Sequence, residues 1–90
     1  MVKIELIPDH EHCIETVARR KYTELLQRLL GNAASDAETE EKLETLRLFL
    51  ETADFGKLRS KSEEQLIQGK NVRFTVYLEN SIPKCEMHVF

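Results

Sequence analysis

Ninety residues, 41% hydrophobic and 32% charged, suit one globular domain spanning 1–90 and exclude a disordered chain. The net charge of −3 is too small to name a partner, and two cysteines, Cys13 and Cys85, do not make a disulfide framework. Met1 to Pro8 carries one lysine and no long apolar run, so no signal peptide is expected there, and Leu48-Phe49-Leu50 falls far short of a membrane span.

A cytoplasmic protein with free thiols, no cofactor and no membrane partner is therefore expected. A chain this short buries only roughly 60–65% of the surface its unfolded form exposes, so a lone copy is expected to be marginally stable.

In chain order, Val2, Ile4 and Leu6 alternate with Lys3 and Glu5 before Pro8, which reads as a short strand from Val2 to Ile7. Asp9 is placed to cap a long helix, with Glu11 in its first turn. Ile14, Ala18, Tyr22, Leu25 and Leu29 follow helical spacing, Val17, Leu26 and Leu30 widen the stripe, and Gly31-Asn32 is a plausible stop.

Ser35-Asp36-Ala37-Glu38 has the spacing of a capping box and opens a second helix. Leu43, Leu46, Leu50 and Ala53 form its stripe, and Gly56 is read as its end. Leu48 and Phe49 fall off that stripe, which suggests a second burial surface. The short connection between the two helices predicts an antiparallel pair. Lys57 to Gln68 is divided between a short helix opening at Ser62 and an irregular loop.

The end of the chain carries the clearest pattern. Val72, Phe74, Val76 and Leu78 alternate with Arg73, Thr75, Tyr77 and Glu79, and Cys85, Met87 and Val89 alternate with Lys84, Glu86 and His88. A two-residue turn at Asn80-Ser81 sets Val76 opposite Cys85, Phe74 opposite Met87 and Val72 opposite Val89. The polar residues then pair on the other face, so turn and pattern give one register independently. Pro83 lacks an N–H, so the last strand is expected at a sheet edge. The order β-α-α-(α)-β-β predicts a small two-layer α+β domain, with about three strands including a C-terminal hairpin packed on two long antiparallel helices.

Chemistry-bearing residues are sparse. His10, His12 and Cys13 are metal-ligand types, but residues two apart on a helix diverge, and Cys85 and His88 fall on opposite hairpin faces. The favoured reading leaves the histidines in solvent and Cys13 as a small apolar residue, with no metal. A thiol nucleophile at Cys13 near a helix N-terminus is the corresponding catalytic alternative. Cys85 faces the core and should be inert. No Gly-x-Ser-x-Gly or His-Glu-x-x-His occurs, Gly56-Lys57 lacks the rest of a Walker motif, and Gly69-Lys70 lacks the other glycines of a phosphate turn.

Charge is unevenly spread. Residues 36–54 balance at −5 and residues 57–73 at +3. Lys57, Arg59, Lys61, Lys70 and Arg73, extended by Tyr77, Lys84 and His88 across an open sheet face, are the candidate anion or nucleic-acid site. The overall negative charge, with Glu79 and Glu86 on the same face, argues against nucleic acid. The expectation is a non-enzymatic interaction or regulatory protein that self-associates, most simply as a homodimer.

Overall fold

Lys3–Leu6 forms β1, Ile14–Gly31 α1, Ala37–Thr52 α2, Phe55–Ile67 α3, Val72–Glu79 β2 and Ile82–Val89 β3 in the computed structural model, which describes residues 2–31 and 37–90. The three strands form one antiparallel sheet in the order β1-β2-β3. This is the α+β domain that the sequence pattern predicts, with the third helix now a full element.

The hairpin has the expected register. Phe74 lies opposite Met87, Val76 opposite Cys85, and Tyr77 opposite Lys84. Asn80 and Ser81 both take positive φ, 54° and 65°, which is the type I′ turn whose twist matches the flanking strands. Beyond the last rung, Asn71 and Phe90 exchange both backbone bonds at 2.8 and 2.9 Å. That alternation makes the residues at 84, 86, 88 and 90 bond toward β2 and turns the backbone groups of Cys85, Met87 and Val89 to the open edge.

β1 pairs with β2 through Lys3–Tyr77, Ile4–Val76, Glu5–Thr75 and Leu6–Phe74, so the first strand is the other edge and β2 the centre. The strand is shorter than the expected Val2 to Ile7. Ile4, Leu6, Val72, Phe74 and Val76 point to the helical layer and are almost wholly buried with Ile14, Ala18, Leu25, Leu43, Leu46, Phe49 and Leu66.

Three expectations about the helices are corrected. Asp9 does not cap α1. Its carboxylate accepts from the amides of Glu11 and His12 at 2.9 and 2.7 Å, closing a separate turn, and the helix starts at Ile14. Gly56 does not end α2. That helix stops at Thr52, and Asp54 accepts from the Lys57 amide at 3.1 Å to cap α3, which places Gly56 in its first turn and Ser62 in its middle. Phe49 is not part of a second surface. It is 2% exposed and meets Phe55 edge-on with ring centroids 5.3 Å apart, which leaves only half-buried Leu48 off the stripe.

On α1, Leu26 and Leu30 turn to solvent and do not widen the core stripe. The capping box expected at Ser35-Asp36, and the stop at Asn32, lie outside the described residues.

Candidate functional site

The turn before α1 positions the first group of candidate residues. Pro8 ends the extended run, and Asp9 then bonds forward through both its side chain and its amide, which donates to the His12 carbonyl at 3.0 Å. The His12 ring stands 3.2 Å from the Asp9 carboxylate through Nδ1. These amide bonds, from His12 and then Glu11, hold the Asp9 carboxyl below the usual aspartate range.

Cys13 follows as the residue ahead of the helix. Its carbonyl accepts from Val17 at 3.0 Å, the first helical bond, and its Sγ lies 3.3 Å from the Thr16 hydroxyl. This is the cap position, held by a thiol in place of the usual oxygen. The Thr16 hydroxyl, then the Thr16 and Glu15 amides, and last the charge of Arg59 lower the thiol below its ordinary value against a modest burial penalty.

A cleft of about 340 Å³ opens beside it, between the turn and α3. Asp9, His10, Glu11, Cys13 and Thr16 line one wall, and Arg59, Ser62, Glu63, Leu66 and Ile67 the other. Arg59 is bonded to Glu63 at 2.9 Å. Such a site can hold a hydrogen-bonded thiolate beside a cation. Among the described residues, no group of three or more His, Cys, Asp or Glu side chains converges to hold a metal.

The basic residues divide between two faces. Lys57 and Lys61 stand on α3 one turn apart, along a second groove of about 240 Å³ shared with Phe49, Leu58, Pro83 and Cys85. Arg59 faces the Cys13 cleft, and Lys70 is exposed after Gly69. Arg73, Tyr77, Lys84 and His88 occupy the outer sheet face, away from the helices.

On that face the register stacks three rows: Lys3–Tyr77–Lys84, Glu5–Thr75–Glu86, and Arg73–His88. The acidic row sits between two basic ones. Arg73 approaches Glu5 at 3.9 Å and lies over the Phe90 ring, while His88 approaches Glu86 at 3.8 Å. Lys3 lies over the Tyr77 ring at 5.6 Å. The face is charge-balanced by its own carboxylates.

The third feature is the β3 edge. Directly behind β2, Val72, Phe74 and Val76 are completely buried, but on β3 Pro83, Cys85 and Met87 are half-covered and Val89 is 41% exposed. Partial burial still pushes the Cys85 thiol up to about 11, with the Glu86 charge adding to it.

Sequence reasoning found the residue types here but missed their partners. Thr16, three residues after Cys13, carries the spacing of a helix cap and was readable as such. Glu86 as the acceptor for Tyr77, and Lys3 as its cation, depend on the position of β1, which hydropathy does not encode.

Residues 2–86 match an uncharacterized protein family, and the chain belongs to that family. It is also similar to an uncharacterized protein of Archaeoglobus fulgidus, 40% identical over 67 residues that cover 68% of this chain and 79% of that protein. No solved structure matches it. Among the described residues no helix is long and apolar enough to cross a membrane.

Proposed function

We propose that this protein is a non-enzymatic interaction module of the cytoplasm that works as a homodimer. The observation that carries the reading is the β3 edge. It is eight residues long, follows β2 without a break in register, and retains apolar side chains that the helices only half cover. Natural sheets blunt such edges with brevity, charge, proline or a bulge. β1 uses brevity, with four residues ahead of Pro8, whereas on β3 the proline stands near the turn and the charges of Lys84 and Glu86 lie on the outer face, which leaves the outward backbone groups of Cys85 to Val89 without a proline or bulge.

A partner strand would satisfy the outward backbone groups and cover Met87 and Val89 together. Light scattering of the full chain at high micromolar concentration is expected to give twice the 10.5 kDa chain mass. A mass of one chain would overturn the proposal.

Anion or nucleic-acid binding through Lys57, Arg59, Lys61, Lys70, Arg73, Tyr77, Lys84 and His88 has weaker support. These residues lie on two faces, and Arg59, Arg73, Tyr77 and His88 each have a carboxylate neighbour. A gel shift with single-stranded RNA is expected to show no complex at low salt, the condition that most favours counterion release.

A further inference from the structure

The β3 edge also specifies how a second copy would add to it. This step rests on the self-association proposed above. An antiparallel neighbour must bring outward backbone groups against outward backbone groups, which restricts it to the odd positions Cys85, Met87 and Val89. It must also keep apolar side chains on the helical side.

Four two-fold registers near the middle of the strand meet both conditions, with the axis passing through Cys85, Glu86, Met87 or His88. The Cys85 register sets Lys84 against Glu86 but places Pro83 opposite Met87, whose carbonyl then lacks a donor. The Glu86 register sets Glu86 against Glu86 and Lys84 against His88. It also places Pro83 opposite Val89, whose carbonyl then lacks a donor. The His88 register sets two histidines against each other. The Met87 register pairs Cys85 with Val89 and Met87 with its own copy on the helical side. On the outer face it sets Glu86 opposite His88 twice, by symmetry. A carboxylate directly across the ladder from an imidazole can accept its N–H, whereas two facing carboxylates repel and two facing imidazoles gain no such complement.

We infer that two copies join β3 to β3 about a two-fold axis through Met87, forming one continuous antiparallel sheet. Both helical layers then lie on the same side, because the inward residues of the two edges share a face. The Glu86 carboxylate, which already accepts from Tyr77 at 3.0 Å and lies 3.8 Å from His88 of its own strand, becomes the bridge between subunits. The sheet in the dimer has twice the three strands of one copy.

The test uses single cysteines in the full chain, with Cys13→Ser and Cys85→Ser removing the native thiols. Met87→Cys is expected to form a disulfide-linked dimer readily, since directly opposed, hydrogen-bonded residues have Cα atoms about 5.5 Å apart, within disulfide range. Glu86→Cys and His88→Cys place their thiols on the diagonal, about 7–8 Å apart, and should crosslink poorly. A dimer that crosslinks best through Glu86→Cys or His88→Cys overturns the register while leaving self-association standing. A chain that is monomeric by mass removes both.

A charge swap gives an independent readout that spares the Met87 contact. Glu86→Lys should weaken dimerisation by about tenfold. Adding His88→Glu should restore it, because the introduced lysine of one copy would then face the introduced glutamate of the other. Loss without rescue contradicts the Met87 axis.

Discussion

The Tyr77 hydroxyl donates to the Glu86 carboxylate at 3.0 Å, a diagonal contact between two residues that are not opposite each other in the ladder. Tyr77 faces Lys84 and Glu86 faces Thr75, so the bond ties two rows of the outer face together. Phe74, three residues away on the same strand, points the other way and is completely buried.

The two aromatic rings of β2 should therefore respond very differently to truncation. Phe74→Ala removes a core ring and is expected to cost about 3–5 kcal/mol, comparable to the whole stability of a small domain. Tyr77→Ala on the half-open face should cost much less. Chemical denaturation of both variants checks this. Equal losses would mean that the outer face is covered as fully as the inner one.

The turn offers a gain. Ser81 sits at φ 65°, a left-handed conformation that costs a side-chain-bearing residue and that glycine adopts freely. Asn-Gly is the preferred type I′ pair. Ser81→Gly is expected to raise stability by roughly 0.5–1 kcal/mol, the strain relieved exceeding the added freedom of the unfolded chain. A drop in the denaturation midpoint would contradict the turn geometry.

The two thiols should separate by reactivity. Cys13 is lowered by the Thr16 hydroxyl and amide, and Cys85 is raised to about 11 by burial. Alkylation near pH 8, followed by peptide mass analysis, should label Cys13 well before Cys85. The raised thiol also has a sign for stability. The folded state holds the Cys85 proton more tightly than the unfolded state, so this contribution is present below about pH 9 and is lost as pH rises through about 11. A Cys85→Ser variant should lack that alkaline loss.

The hairpin was legible because two independent signals, a two-residue turn and a strict alternation, demand the same pairing. The helix boundaries were less so, for reasons visible at Asp9 and Asp54. Both are good caps, but Asp9 spends its carboxylate on the amides of Glu11 and His12, so helix initiation passes to Cys13. Gly56 reads as a stop because glycine permits one, yet Asp54 two residues earlier has already begun α3. Phe49, expected off the stripe of α2, stands three residues after Leu46 and four before Ala53, so helical spacing itself puts it on the core face, where its ring meets Phe55. Of the candidate site, residue types could be read and adjacency could not. Arg59 approaches Cys13 only because α3 folds back across the N-terminal turn.

The position of β1 also has a consequence for how the chain acquires its shape. β2 and β3 are neighbours in sequence and close through a two-residue turn, an event of microseconds for an isolated hairpin. Leu6 must instead find Phe74, across nearly the whole chain. Closing that long loop is entropically costly until the hairpin and helices present a prepared surface. During synthesis β1 is thus made long before its partner strand β2. Until β2 emerges, Ile4 and Leu6 have no sheet to join, and β1 must remain unpaired while the helices form behind it.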